Sequence, residues 1–346
     1  MKFFNLKKDS LKLCSSKTMN IIQTLELYRG KTFSLPNKLK VNRLHSVSKR
    51  KSVTSSNSIE GIKIPASREK AILEDNKTPQ GKEEEMIYGY NKALERVFEV
   101  YKYQSLDESF ILDLHYLMYE SFNPSFGGKY KVEQNYIREY DLKGNLKRTV
   151  FIPAKPKDVP QLMGNLIYQF NECAKDPNIN ILVLIPMFVL DFLCIHPFFD
   201  GNGRMSRLLT TFLLLKYGYE VDKYYATSYI ILKQVNQYYD ALEHSSKFWH
   251  ENKNNYSYFV TFILNVIQQS YQKVNYIFEI NALNLNADEK VLKVITDAHQ
   301  KINKSDIEEI LVNLTRTTIE AALAKLVKEG KIRLLQSGRY AYYYKK

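Results

Sequence analysis

At 346 residues the chain is long enough for two or three domains, and its 45% hydrophobic and 25% charged content fits a globular protein with a sizeable core. Three cysteines (Cys14, Cys173, Cys194) with no CxxC spacing argue against a disulfide framework or a zinc site and suit a reducing cytosol. The opening MKFFNLKKDSLKL lacks the apolar core of a signal peptide, and the longest apolar run, Ile181–Leu190, is about half a membrane span. A cytoplasmic protein without membrane contact is therefore expected. The formal net charge is +13, and residues 1–53 alone carry thirteen Lys and Arg against Asp9 and Glu26. That segment is either a solvated basic surface or an attractor of nucleic acid or an acidic protein.

No internal repeat is visible, and apolar residues recur mostly at helical spacing, which predicts a mainly α fold. Residues 1–104 form an N-terminal helical region. Within it the polar stretch 64–82, with Pro65, Pro79 and Gly81, reads as a loop. Met86, Tyr90, Leu94, Val97 and Tyr101 share one face of a helix over 83–103, and Ile111, Leu114, Leu117 and Met118 share one over 106–122. The pattern breaks at 127–153. KYKVEQNYI, a turn at Lys143-Gly144-Asn145 and RTVFIP read as a β-hairpin. Helices follow over 158–174, 181–195, 205–216, 228–246 and 255–278, and Pro186 should kink the second of these or mark its start. Residues 280–346 look separate from the core at 105–279. Short helices over 287–299 and 304–312 precede one over 315–329, capped by Thr315 and closed by Gly330; IRLLQSGRYAYYYK then alternates around Ser337-Gly338 as a hairpin. Three helices and a β wing make a winged helix-turn-helix, with Thr315, Arg316, Thr317 and Thr318 opening the candidate recognition helix. Residues 285–346 hold 12 Lys/Arg against 8 Asp/Glu, which leaves DNA binding, protein contact and homo-oligomerisation all open.

One segment carries chemistry: His196-Pro197-Phe198-Phe199-Asp200-Gly201-Asn202-Gly203-Arg204-Met205-Ser206-Arg207. A glycine-rich loop running into a helix N-terminus points N–H groups and the positive end of the helix dipole at an anion. Gly201 and Gly203 let the main chain approach a phosphate, and Arg204 and Arg207, three apart, can fork onto its oxygens. Asp200 suits Mg²⁺, which prefers a carboxylate together with substrate phosphates, although a helix N-cap is its plainer role. His196 has the side chain for general-base work near neutrality. A base, an anion cradle, a metal and two arginines are what nucleotidyl transfer requires. No Walker A or kinase glycine loop is present.

This segment resembles the Fic (filamentation induced by cAMP) family, whose signature HPFx[D/E]GNGRxxR is matched at all nine fixed positions. The resemblance runs from about Ser55 to residue 278, and a C-terminal winged helix often accompanies it in longer members. It implies a helical core and a protein adenylyltransferase that moves AMP from ATP, with Mg²⁺, onto a hydroxyl of a protein substrate or of itself. His196 would be the base and Asp200 the metal ligand. Asn202 with the Gly201–Gly203 loop would hold the α-phosphate, Arg204 and Arg207 the β- and γ-phosphates, and Phe198 would anchor the loop. The hairpin near 135–152 is similar to the family's flap, which aligns a target segment by strand addition. Ser56-Asn57-Ser58-Ile59-Glu60-Gly61, within segment 55–62, is similar to the family's inhibitory motif [S/T]xxxE[G/N]; Glu60 would pair with Arg207 and deny it to the γ-phosphate. The same glutamate could orient a water that removes AMP. Where many members carry a histidine seven residues before the catalytic one, this chain has Val189.

The remaining histidines (45, 115, 244, 250, 299) show no ligand spacing and read as structural or surface groups. Tyr238-Tyr239 with Leu242 is similar to the family's nucleoside-side helix but equally fits a core, as does Trp249. Two rivals to AMP transfer stand: a transferase with another nucleotide donor, and a DNA-binding regulator in which the helical core is a sensor.

Overall fold

The most apolar stretch of the sequence forms the centre of the molecule. In the computed structural model, which describes residues 2–34, 41–141, 143–335 and 341–345, Ile181–Ile195 is helix α8, and every one of its side chains except Ile181 is buried. A helix apolar on all sides needs protein on all sides. α7 (Val159–Cys173), α9 (Asn202–Lys216) and α12 (Ser257–Ala282) supply it. Asn180 caps α8 by accepting the Leu182 N–H at 2.9 Å. Pro186 does not mark the helix start, because Ile181–Ile185 already belong to α8; its missing N–H removes one bond from within a helix held on every side. Asp191 is fully buried and accepts from Trp249 Nε1 (2.7 Å) and Tyr256 Oη (2.8 Å). Burial pushes its carboxyl up to about 6.

The N-terminal region is built from α1 (Leu6–Lys12), α2 (Ser16–Ser34), α3 (Val41–Ile59), α4 (Ala66–Leu73) and α5 (Lys82–Val100). α2 packs along α12, and α3 against α5 and α10 (Thr227–Lys233). The stretch expected as a loop over 64–82 thus contains α4. Pro65 sets its entry, Ile72 is buried, and Arg68 forks onto Glu84 at 2.6 and 2.8 Å. α5 lies on α6 (Glu108–Tyr119) through Gly89, where a Cβ would come within 2.3 Å of the Met118 carbonyl oxygen. The single helix expected over 228–246 is two, α10 (Thr227–Lys233) and α11 (Val235–Ser246), parted at Gln234. α9 begins at Asn202 rather than 205, capped by Gly201 at φ 82°.

The hairpin is shorter than its alternation suggested. β1 (Ile137–Tyr140) and β2 (Leu146–Phe151) pair antiparallel with Glu139 opposite Arg148, while residues 129–136 are not strand. The turn at 143–145 is held by the Asp141 carboxylate, which accepts the Lys143 and Asn145 N–H groups at 2.9 Å each.

A second hydrophobic cluster, with Ile280, Val291, Val294, Ile307, Ile319 and Leu323, gathers the last elements. These are α13 (Ala287–Asp297), β3 (Ile302–Asn303), α14 (Lys304–Ile310), α15 (Arg316–Lys328), β4 (Ile332–Leu335) and β5 (Tyr342–Lys345), with strand order β3-β5-β4. Thr315 caps α15 by accepting the Thr318 N–H at 3.2 Å. The turn expected at Ser337-Gly338 lies outside the described residues. Among the described residues no helix is long and apolar enough to cross a membrane.

Candidate functional site

The loop from 196 to 201 joins the C-terminus of α8 to the N-terminus of α9 and is fastened from three sides. His196 ends α8 in the left-handed region (φ 52°), which turns the chain back over the helix. Asn202 staples the loop internally: its Oδ1 accepts the Phe198 N–H at 2.9 Å and its Nδ2 donates to the Phe198 carbonyl at 2.8 Å. The Asn202 side chain, expected at the α-phosphate, is therefore buried and engaged with the loop. Phe198 is fully buried and lies flat on His115. The segment 129–136 supplies the third tie, and this explains why it is not strand. Lys131 N donates to the Pro197 carbonyl (2.8 Å), Lys131 Nζ to Asn135 Oδ1 (2.8 Å) and the Ile195 carbonyl (3.2 Å), and Asn135 Nδ2 to the Phe198 carbonyl (3.0 Å). Burial lowers the Lys131 ammonium to about 8.

Two residues of α6 complete the support, and neither stood out in the sequence as part of a site. His115 Nδ1 accepts the Gly128 N–H at 3.0 Å, which leaves Nε2–H to donate to the Asp200 carbonyl at 3.1 Å. Burial holds this imidazole down at about 4. Tyr119 Oη donates to Asp200 Oδ2 at 2.7 Å and accepts from Arg204 Nη2 at 2.8 Å. Their spacing of four on one helical face was the available signal, but a histidine and a tyrosine at that spacing fit a core equally well.

His196 is partly accessible, and its Nδ1 faces the Leu193 carbonyl at 3.2 Å. A carbonyl only accepts, so Nδ1 carries the proton and Nε2 keeps its lone pair. Burial, assisted by the nearby Lys131 charge, lowers its pKa to about 4, so the ring is neutral at pH 7. Asp200 is exposed at the rim; burial raises its pKa, but the Tyr119 hydroxyl, the Arg204 charge and the Gly201 N–H together bring it below the ordinary value. Among the described residues no three His, Cys, Asp or Glu side chains gather to hold a metal. Asp200 is thus a single carboxylate, a donor set that fits Mg²⁺ only when substrate phosphates supply further oxygens.

Arg204 and Arg207 are both buried. Arg204 Nε and Nη1 and Arg207 Nη1 have no acceptor among the described residues, and orphaned guanidinium donors of this kind fit a phosphate group. The other Arg207 donors are taken by the end of α3: Nε donates to Ser56 Oγ (2.8 Å), and Nη2 to the Ser56 carbonyl (2.8 Å) and Glu60 Oε1 (2.7 Å). The same carboxylate sits over the start of α9, where a Cβ on Gly203 would come within 2.2 Å of Glu60 Oε1. A cleft of about 750 Å³ opens beside them, lined by Glu60, His196, Gly203, Tyr238, Tyr239 and the hairpin. Tyr238 is buried, whereas Tyr239 is half exposed and donates to the Ile59 carbonyl at 3.3 Å. Arg148 of β2 closes one side by forking onto Glu243 of α11 at 2.6 and 2.8 Å.

Residues 105–214, which include this loop, match the model of the Fic/DOC family. The Protein adenylyltransferase Fic of Nematostella vectensis is 26% identical over 208 residues, covering 58% of this chain and 45% of that protein. Its namesake from Drosophila grimshawi is 28% identical over 191 residues, covering 54% and 35%. The chain thus spans less than half the length of these curated relatives. Among solved structures, a Fic family protein from Desulfovibrio desulfuricans G20 has the same fold over 96% of both chains (TM-score 0.63, 19% identity). A Fic domain containing signaling protein from Bacteroides thetaiotaomicron matches 74% of this chain and 97% of its own (TM-score 0.61, 22% identity).

Proposed function

We propose that the chain is a protein adenylyltransferase that moves AMP from ATP to a protein hydroxyl, on another protein or on itself, and that Glu60 restrains it. The observation that carries this reading is the neutral His196, lining the cleft together with Glu60 and Gly203, beside two buried arginines of α9 that have unfilled donors. His196 Nε2 takes the proton of the attacking hydroxyl, whose oxygen bonds the α-phosphorus as pyrophosphate departs. Arg204 and Arg207 bind the leaving phosphates, and the N–H groups at Gly201–Gly203 face the transferred one. Asp200 would hold Mg²⁺, which supplies neutralisation of phosphate charge. Phe198 keeps the loop in place through its packing, and the flap at 137–151 receives the target segment. Glu60 and Ser56 occupy three Arg207 donor contacts, so the γ-phosphate competes for a guanidinium already engaged; AMP removal through a water held by Glu60 is compatible with the same site.

The test uses wild type, Glu60→Gly, and Glu60→Gly with His196→Ala, each incubated with α-labelled ATP and Mg²⁺. Strong labelling of the chain or of a lysate by Glu60→Gly alone is expected, and none with His196→Ala. Transfer from UTP or another donor but not ATP would replace the donor.

A second reading concerns the C-terminal module. Its order of elements and its β3-β5-β4 sheet support a winged helix. Part of its charge is engaged: Arg316 pairs with Glu308 and Glu320, and Lys325 with Asp288. Duplex DNA binding would show as an affinity falling steeply with salt; no binding at low salt leaves the module as a protein-contact unit.

A further inference from the structure

The helix that carries Ser56 and Glu60 is held at its other end by the C-terminal module. Arg43, in the first turn of α3, sends Nη1 to the carbonyls of both Val312 and Leu314 at 2.9 Å each, in the turn between α14 and α15. Lys51, two helical turns later, pairs with Glu309 of α14, and both side chains are mostly shielded from solvent. Its ammonium also lies 3.6 Å above the Tyr229 ring. Arg43 and Glu60 are one helix length apart, roughly 25 Å at 1.5 Å per residue.

The seat of α3 on the core is unusual for a buried helix. Its buried positions include Ser48, Ser52, Ser55, Ser56 and Asn57 beside few large apolar side chains. The contacts are polar: Ser48 Oγ donates to the Asp222 carbonyl at 2.7 Å, and Ser228 meets Ser52 at 3.4 Å. Small polar side chains hold a helix in register with little hydrophobic burial, so polar ties set where α3 lies: Arg43 and Lys51 to the C-terminal module, Lys49 and Arg50 to Glu95 and Glu74. A cavity of about 230 Å³, lined by Leu44, Val47, Lys51, Glu309 and Ile310 among others, leaves room at the junction.

We propose that Arg43, Lys51 and Glu309 are positioning residues for Glu60: the C-terminal module sets where α3 ends, and a partner that shifts α14 withdraws Glu60 from Arg207. The inference rests on the proposed restraint by Glu60 and adds what controls it. Glu309→Lys, Lys51→Glu and the exchanged pair Lys51→Glu/Glu309→Lys, all in the full chain, test it. Two readouts are needed: labelling from α-labelled ATP, and hydrogen exchange at the amides of Glu60, Gly61 and Ile62, which bond back to Asn57 and Ser58. Each single change should raise labelling about tenfold, within the usual range of coupling between sites, and speed exchange at those amides. The exchanged pair should restore both towards wild type. In a Glu60→Gly background the single changes should add nothing to labelling. Wild-type exchange at 60–62 in the single variants overturns the proposal whatever the enzyme does, as does an equal gain in labelling without Glu60. Should Glu60→Gly itself fail to label, the exchange measurement still decides whether the module holds α3. Glu309→Gln, which keeps the side-chain volume, is expected to show the same direction if the charge-reversed chains are poorly soluble.

Discussion

His115 lies face to face with Phe198, ring centroids 3.7 Å apart and planes 3° from parallel. One ring thereby supports the loop by packing while its two nitrogens hold the Gly128 N–H and the Asp200 carbonyl. Replacing His115 with Ala leaves a cavity under Phe198 and two unsatisfied backbone groups. The expected cost is about 2–4 kcal/mol in chemical denaturation, with loss of labelling at unchanged Glu60.

The same imidazole gives a pH signature. Held at about 4 in the fold, against about 6.5 in the unfolded chain, it is neutral in the one and protonated in the other between those values. The unfolded chain then binds more protons, so His115 stabilises fully above about pH 6.5, and that stability is lost as pH falls towards 4. Asp191, raised to about 6, acts in the opposite sense, since its stability contribution is lost as pH rises from about 4 to 6. It is present in both proteins and cancels when His115→Gln is compared with wild type. The difference in stability between the two should shrink by about 3 kcal/mol between pH 7 and pH 4.

Tyr119→Phe removes the hydroxyl shared by Asp200 and Arg204. A stability loss of about 1–2 kcal/mol is expected. Because that hydroxyl fixes the position of the Asp200 carboxylate beside Arg204, half-maximal labelling should require more Mg²⁺. An unchanged Mg²⁺ dependence would place Asp200 outside the metal site.

Gly203→Ala puts a methyl group where Glu60 Oε1 stands, 2.2 Å away. The ion pair with Arg207 should open, seen as faster exchange at residues 60–62. Labelling should nevertheless stay low, because the methyl also bars a phosphate from the helix N-terminus. High labelling by Gly203→Ala would show that close approach there is dispensable.

Glu243→Gln breaks the bidentate tie from Arg148 across the cleft. The pair is exposed, so stability should change by no more than about 1 kcal/mol. Exchange in residues 137–151 should rise, and with it the rate at which ATP enters and leaves.

Much of the architecture is legible in the sequence wherever burial is one-sided or complete. The all-apolar α8 and the faces of α5 and α6 follow from spacing alone. The string 196–207 gathers into one place because its residues are neighbours in the chain. Partners drawn from elsewhere are harder to see. His115 and Tyr119 come from α6, and Lys131 and Asn135 from a segment whose alternation resembles a strand but whose polar groups are spent on the loop carbonyls. Asn202 carries a role that its position does not disclose: its amide serves the Phe198 backbone. α4 was hidden because its polar composition looks like a linker until the Arg68–Glu84 fork and buried Ile72 are seen.

The contact between Glu60 and Gly203 has a wider consequence. The carboxylate rests in a space that exists only because residue 203 lacks a side chain, so an incoming anion must displace it physically as well as outbid it for Arg207. Tenancy of that spot is exclusive by volume, and salt, which screens charge, cannot by itself vacate it. Freedom for the cleft has to come from movement of the Glu60 side chain or of the helix behind it.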